Sequence, residues 1–361
     1  MKVAFVGLGK LGLPCALAIE AAGHQVRGYD TSLDVREILT SKQLPYVEED
    51  AQELLSKTKL KWGDPDELAA WADLVFVAVQ TPHQPKYEGA TRLPDDRADF
   101  EYGHLADAVQ SVKQAKLVVV ISTVLPGTME RFDRLGYLHL DEVTDRPSRL
   151  LYNPFFIAMG TTIPDFRDPE FVLVGTDQAN PGPLRDLYQT IHNKQVFITT
   201  IKTAELTKVA YNTFIGLKIA FANTMMELCE KTGGDVDDLV DALSLANKRL
   251  LSPAYLRGGM GDGGGCHPRD NIALSWLARE VGLSYDLFEA LMVCRERQTE
   301  WLADLILEEQ NMTAAYRPIE ILGKAYKPET ALTVGSPATL LANILHERNV
   351  TFEHTDPIVD V

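Results

Sequence analysis

The sequence is poor in cysteine and in positive charge, and it has no long apolar run. Each lack closes off a class of protein. The four cysteines among 361 residues (Cys15, Cys229, Cys266, Cys294) are scattered and form no CxxC pair. Neither a zinc site nor a disulfide framework is indicated, so no metal is expected. Such usage fits a reducing cytoplasm. Lys and Arg number 35 against 51 Asp and Glu, a formal net charge of -16. A chain this acidic repels nucleic acid and anionic membrane surfaces. An anionic ligand would need a local basic pocket. The longest apolar candidate, Tyr211–Cys229, is broken by Asn212, Lys218 and Asn223, so no segment reads as a membrane span. The opening MKVAFVGLGKLG lacks the apolar core and cleavage site of a leader. A cytoplasmic protein without nucleic-acid or membrane partners is expected.

What is present is ordinary globular composition, 45% hydrophobic and 24% charged, in a chain long enough for two or three domains. Lys2–Val6 reads as a buried parallel strand. Gly7, Gly9 and Gly12 follow as G-x-G-x-x-G around Lys10 and Leu11. Leu13–Ala22 reads as a helix, Gln25–Tyr29 as a second strand, and Asp30 stands at its end. Strand, tight turn, helix, strand and acid at this spacing form a dinucleotide fingerprint. Glycines admit a pyrophosphate to the backbone, and the helix N-terminus offers it unpaired N–H groups. Asp30 can accept a ribose 2′-hydroxyl and would repel a 2′-phosphate, so NAD is expected rather than NADP. Further strands are read at Leu74–Val79, Leu117–Ser122, Arg149–Tyr152, Glu170–Gly175 and Gln195–Thr199, with helical stretches between most of them. The class is α/β, a doubly wound sheet. Two polar turns follow its strands, Gln80-Thr81-Pro82 and Ser122-Thr123-Val124. They are either plain turn chemistry or ligand contacts at the carboxyl edge. Pro82–Phe100 reads as a surface loop.

Beyond residue 200 the pattern turns helical. Thr203–Lys231 reads as one long helix, capped by Thr203 and ended by Gly233-Gly234. It is apolar nearly all round, which suits burial between domains or subunits. Lys208 and Asn212 share one of its faces. They form either a buried structural network or part of a substrate site. Helices are also expected at Asp235–Asn247, Asn271–Glu280 and from Tyr285 to about Glu309. Between them lies GGMGDGGGCHPRD, Gly258–Asp270, with six glycines around Cys266. It is either a flexible linker with an incidental thiol or a close-approach loop holding a reactive thiolate. A strand at Ile319–Gly323, the turn Lys324-Ala325-Tyr326-Lys327-Pro328, a helix Pro337–Glu347 and a strand Thr351–His354 make a final β-α-β unit. Three domains are expected: a Rossmann domain at 1–200, a central helical domain at 201–312 and a short, incomplete Rossmann-like βαβ domain at 313–361.

Four stretches coincide in order: the Rossmann start, the helix with Glu205, Lys208 and Asn212, the loop GGGCHPRD, and ILGKAYKPET. Together they resemble the UDP-glucose/GDP-mannose dehydrogenase family over essentially the whole chain. That family's loop reads close to GFGGSCFPKD and its turn close to GLAFKPNT. The resemblance implies oxidation of a nucleotide-sugar C6 alcohol, UDP-glucose first among them, to the uronate with NAD. Cys266 would take the aldehyde as a thiohemiacetal and then carry a thioester. Lys208 and Asn212 would stabilise an alkoxide or oxyanion. Asp270 would activate water, which Thr123 would position. Gly7, Gly9, Lys10, Leu11, Gly12, Asp30, Thr81 and Thr123 would bind NAD. Lys208, Asn212, Arg249, Tyr255, Arg257, Gly263 and Lys327 would bind the nucleotide sugar, with Lys327, Arg249 and Arg257 on the diphosphate. In the family the residue equivalent to Arg249 reaches a neighbouring subunit's site, which implies a homodimer.

The match breaks at Asn153–Gly160. Where the family reads close to NPEFLREG, both glutamates are replaced, by Phe155 and Met159. Neither can move a proton. The loop also carries Asp262, Gly265, His267 and Arg269 where Phe, Ser, Phe and Lys are usual. Ala331, Leu332, Val334 and Gly335 stand where acids and arginine are typical. Other acids would then do the missing work, or the reaction stops early, or a different nucleotide sugar is bound. Two further readings compete: a two-electron β-hydroxyacid dehydrogenase and a catalytically impaired nucleotide-sugar-binding homologue. The retained Lys208, Asn212, Cys266 and Asp270 weigh against the second, and the cysteine loop and KAYKP turn against the first.

Overall fold

The computed structural model describes residues 1–82, 84, 98–134, 150–177, 179–252, 266–312, 318–325 and 332–360. In chain order the first part runs β1 (Lys2–Val6), α1 (Gly12–Ala21), β2 (Gln25–Tyr29), α2 (Leu33–Ser41), α3 (Ala51–Lys57), β3 (Lys61–Trp62), α4 (Pro65–Trp71) and β4 (Leu74–Val77). It continues with α5 (Gly103–Ser111), β5 (Val118–Val120), α6 (Thr128–Arg134), β6 (Leu150–Tyr152), α7 (Thr162–Arg167), β7 (Val172–Gly175), α8 (Gly182–Gln189) and β8 (Val196–Thr199). Then come α9 (Ile201–Thr232), α10 (Val236–Ser244), α11 (Cys266–Glu280), α12 (Leu287–Met312), β9 (Ile319–Leu322), α13 (Pro337–Glu347) and β10 (Phe352–Thr355). By internal packing the chain divides into two compact units, Met1–Phe214 and Ile215–Val361.

The first unit is an eight-stranded sheet in the order β3-β2-β1-β4-β5-β6-β7-β8. Its first six strands are parallel. The chain order reverses between β1 and β4, the switch point at which open α/β sheets bind ligands. The sequence reading did not anticipate one feature. β6 and β7 pair antiparallel through Tyr152 and Gly175, and β7 and β8 are parallel to each other. Strand direction leaves no mark on an apolar pattern: β7, buried on both faces, reads the same either way, and β8 takes its direction from pairing with it.

Both faces of the central strands are buried, and alternate residues feed two separate cores, while the edge strand β8 exposes Phe197 and Ile198. Val3, Phe5, Leu74, Phe76, Val119 and Leu151 pack with α1, α3, α7 and α8 on one side. Ala4, Val6, Val75, Val77, Val118 and Val120 pack with α4, α5, α6 and the start of α9 on the other. That is the period-two consequence of the pleat. Phe5 and Phe76 stack with centroids 4.9 Å apart. α1 is buried along nearly its whole length, from Gly12 to Ile19. It packs against α3 and α7 as well as the sheet, so it has no polar face to lose.

The second unit contains the rest of α9, α10 to α13, and the parallel pair β9–β10. Met225, Leu228, Ala278 and Phe288 form a helical core. Ala303 of α12 joins Ile319, Ile321, Leu341 and Leu345 in a second one, under the β-α-β unit. The long helix begins at Ile201, not at a Thr203 cap. The Thr200 hydroxyl accepts the Thr203 N–H at 3.3 Å, and Asp177 accepts that of Ile201 at 3.2 Å. Capping has moved one turn toward the N-terminus because these two acceptors are in place. Within this one chain α9 exposes Phe214, Ile215, Leu217, Ile219 and Phe221. Among the described residues no helix is long and apolar enough to cross a membrane.

Phe5→Ala removes a ring from the Phe5–Phe76 stack in the core on one face of the sheet. It should lower stability by about 3–5 kcal/mol, read from urea unfolding followed by far-UV circular dichroism.

Candidate functional site

The turn after β1 shows why its three glycines differ. Gly7 has φ +95°, and a Cβ there would lie 2.5 Å from the Ala78 carbonyl oxygen. A Cβ on Gly12 would lie 2.1 Å from the Gly7 carbonyl oxygen. Chain packing therefore demands the first and third glycines. Gly9 has nothing within 4 Å of its Cβ position, so it is the open one. That opening lets a phosphate approach the backbone. Leu11, the residue before α1, provides no side-chain cap, and the first turn holds no acid. Leu13 N–H already donates to the Gly9 carbonyl at 3.0 Å and Pro14 has no N–H, so of the first three helical residues Gly12 has the N–H left for an anion. Lys10 is exposed, its ammonium 5.7 Å over the Tyr46 ring.

Asp30 closes the other end of this cleft. One carboxylate oxygen accepts the Leu8 N–H at 2.7 Å and the other that of Ser32 at 2.8 Å. Each oxygen keeps a lone pair for a ribose hydroxyl. Gly7, Gly9, Tyr29, Asp30, Ala78 and Gln80 line a cleft of about 530 Å³ at the switch point. Glycine turn, uncapped helix and acid fit NAD. The two polar turns are stitched together beside it. Thr81 donates to the Thr123 carbonyl at 2.7 Å, and Ser122 to that of Val79 at 2.6 Å. Thr81 and Thr123, candidates from separate strands, are thus brought together.

A second polar group gathers on α9. Glu205 is fully buried, and its carboxylate accepts the N–H groups of Gly127 at 2.5 Å and Met129 at 2.9 Å. It therefore caps α6 and pins the loop that follows Thr123. Burial pushes its carboxyl upward, against the pull of those two N–H donors. One turn on, Lys208 is also buried. Its ammonium lies 5.1 Å over the Phe156 ring and 3.4 Å from Asn212 Oδ1. Among the described residues no carboxylate pairs with it, and burial lowers its ionisation from the usual lysine range. Phe156 in turn packs against Phe171 and Tyr211, with centroids 4.8 and 4.6 Å away. Burial and the nearby Glu170 charge both push the Tyr211 phenol up.

Phe155, at the position where a glutamate would be expected, turns away into the core. It lies edge-on to Phe76 at 6.2 Å and tilted against Phe166 at 5.4 Å. Met159 is 62% exposed. Asn153 is structural: it donates to the Leu173 carbonyl and accepts from Tyr188. Sequence reasoning gives Phe156 and Glu205 no role of their own and misses Tyr211. No local pattern marks them, because their partners come from distant segments.

The remaining candidates fall in the second unit or outside the described residues. Cys266 is the first residue of α11, five residues before the expected helix start. Asp270 lies on the same helix and is exposed, and Arg249 is exposed in the turn after α10. Tyr255, Arg257, Gly263 and Lys327 lie outside the described residues.

Known proteins are similar to this chain in sequence and fold. The NAD binding domain of the UDP-glucose/GDP-mannose dehydrogenase family matches residues 1–192, and that family's central domain matches residues 202–296. The chain belongs to the UDP-glucose/GDP-mannose dehydrogenase family. It is an NAD-dependent oxidoreductase of nucleotide sugars. It is similar to the UDP-glucose 6-dehydrogenase of Rickettsia conorii, with 29% identity over 99% of this chain and 81% of that protein. The Pseudomonas aeruginosa UDP-glucose 6-dehydrogenase is also 29% identical, over 100% of this chain and 80% of its own. Among solved structures, GDP-mannose dehydrogenase from Pseudomonas aeruginosa superposes with a TM-score of 0.86 at 25% identity, covering 99% of this chain and 80% of that one. A UDP-glucose dehydrogenase from Pyrobaculum islandicum gives 0.60 at 27%, covering 99% and 82%.

Two outcomes are expected for this dehydrogenase. Gly12→Ala forces a methyl onto the Gly7 carbonyl and must open the turn. NAD affinity, measured by titration calorimetry, should fall by more than about tenfold, the loss of a single good contact. Lys208→Met removes a buried cation that has no carboxylate partner among the described residues. Since burial lowers the lysine's ionisation on folding, its penalty is fully present at low pH and fades as pH rises toward the usual lysine range. The variant should melt higher than the parent at neutral pH, by a margin that shrinks toward pH 10, while turnover is lost.

Proposed function

We propose that this chain oxidises the C6 alcohol of UDP-glucose to the uronate in two successive two-electron steps. The observation that carries this reading is Lys208, a buried cation without a carboxylate partner among the described residues, set beside Asn212 on α9. Such a cation is costly to bury unless something negative arrives there. An alkoxide at C6, and later the oxyanion of a tetrahedral adduct, would be that charge.

NAD, held by Gly7, Gly9, Lys10, Leu11, Gly12, Asp30, Thr81 and Thr123, supplies the hydride acceptor for both oxidations. Lys208 and Asn212 bind the C6 oxygen and stabilise its negative charge. Cys266 attacks the aldehyde carbon as a thiolate, giving a thiohemiacetal whose oxidation leaves a thioester. Its place at the start of a 15-residue helix supports this role, since helix N-termini favour the thiolate. Asp270 takes a proton from the water that opens the thioester, and Thr123 orients that water. With Phe155 in the core and Met159 unable to carry a proton, Asp270 does this work without the two expected glutamates. Lys327, Arg249 and Arg257 bind the diphosphate, with Tyr255 and Gly263 completing the substrate contacts.

We further assign three functional parts, 1–200 for NAD, 201–312 for the helical scaffold and 313–361 for the nucleotide. The exposed apolar residues of α9, Phe214 to Phe221, are proposed to meet a second copy in a homodimer. The protein is proposed to act in the cytoplasm. A second reading, GDP-mannose as substrate, has in its favour the superposition on the GDP-mannose dehydrogenase structure.

NADH formation with UDP-glucose and with GDP-mannose, in the parent and in Cys266→Ser, tests the proposal. The parent should reduce about two NAD per uronate formed, and the variant should make no acid. No NADH with either sugar would sink the dehydrogenase reading. Full acid production by the variant would sink the covalent route.

A further inference from the structure

The amino end of the large sheet carries a second cleft, of about 560 Å³, that shares no lining residue with the NAD cleft. β2 runs between the two. Its first three residues, Gln25 to Arg27, line the second cleft, while Tyr29 and Asp30 line the first. Leu17, Val26 and Leu54 give the second cleft apolar walls. Arg27, Lys57, Lys59 and Lys61 bring four cations to it. On a chain of net charge -16 this is a local reversal of sign.

Strand register accounts for part of the gathering. β2 and β3 are parallel with Arg27 opposite Lys61, so these two side chains leave the same face of the sheet. Lys59 stands two residues before Lys61, on the approach to that edge strand. Arg27 is half-buried, and its guanidinium sits 4.3 Å over the Trp71 ring. The ring holds the cation in place without neutralising it. Lys57 is balanced at the rim by Glu53, 2.5 Å away. Among the described residues no carboxylate pairs with Arg27, Lys59 or Lys61. The acid that lines the cleft, Glu20, is engaged elsewhere. One of its oxygens accepts the Thr58 hydroxyl, and the other accepts the Lys59 N–H at 2.9 Å.

Arginine presents a planar fork of donors and lysine a compact point charge, and a phosphate group can take both together. The cleft is far larger than one phosphate group and falls within the range of small-molecule sites, about 300–1,000 Å³. Its apolar walls leave room for an organic body. We propose that this cleft binds a small organic phosphate, held by Arg27, Lys59 and Lys61, while NAD occupies the opposite edge of the sheet. Nothing in this inference depends on which nucleotide sugar is the substrate.

Fluorine NMR of the protein labelled with 5-fluorotryptophan reads the site directly, with the Trp71 resonance assigned by Trp71→Phe. Glucose 1-phosphate and inorganic phosphate are titrated separately into protein saturated with NAD. Both should shift the Trp71 resonance, glucose 1-phosphate with the lower Kd because its ring covers the apolar walls. Lys61→Ala should raise that Kd about tenfold, the loss of one charge-assisted contact. Arg27→Ala should raise it at least as much. Should Arg27→Ala disturb β2, Lys61→Ala, on a two-residue edge strand, still carries the test. An unmoved Trp71 resonance at millimolar glucose 1-phosphate, an unchanged Kd in Lys61→Ala, or equal affinity for the two phosphates would each overturn the proposal. So would a shift seen without NAD and abolished by it.

Discussion

A mostly parallel sheet must be kept from water on both faces, and the first unit of this dehydrogenase is built around that requirement. Alternate residues of β1, β4 and β5 feed two cores, each closed by its own helices. Strands buried this way have no polar side chains to spend on a ligand. The chemistry is pushed to the carboxyl edge, where chain order reverses between β1 and β4 and the turns are free to carry glycine, threonine and aspartate. The tight fit of Gly7 against Ala78 and of Gly12 against Gly7 belongs to the same packing. The NAD turn is shaped by the core beneath it as much as by the cofactor.

Of the charged groups drawn out of water, Glu205, Asp356 and Lys208 are held on different terms. Glu205 is satisfied by two backbone N–H groups at the start of α6. Asp356 is satisfied by four. Both are acceptors that organise loops, and their partners are permanent. Lys208 has an aromatic face and one long contact with Asn212. The proposal above gives this lightly partnered cation a negative charge that arrives only during turnover. Glu205 stands one helical turn before it, so the same helix anchors the loop after Thr123 and presents the lysine.

The segment Asn153–Gly160 feeds both cores of the first unit. Asn153 remains a bracket between β7 and Tyr188. Phe155 has become part of an aromatic cluster with Phe76 and Phe166. Its neighbour Phe156 points the other way in the chain's alternation and supplies the ring beneath Lys208. Phe155 adds to the core of one face, and Phe156 gives Lys208 an aromatic neighbour.

The sequence by itself determined the elements whose signals are local. The glycine turn with Asp30, the apolar strands, the long helix and the βαβ unit at the end were all legible, because each depends on period, spacing or turn chemistry within a few residues. The pairing of Lys208 with Asn212 was legible for the same reason, being one helical turn apart. Only the tertiary structure decided the reversed direction of β7 and β8, the capping of α9 by Thr200, the inward turn of Phe155, the ring of Phe156 under Lys208, and the hold of Asp356 on Lys324 and Ala325. In each, the deciding partner is distant in sequence or the choice lies between conformations of similar local energy. A buried strand reads alike in either direction, two threonines in one turn are both good caps, and an aspartate before a turn gives no sign of which remote N–H groups its second oxygen will find.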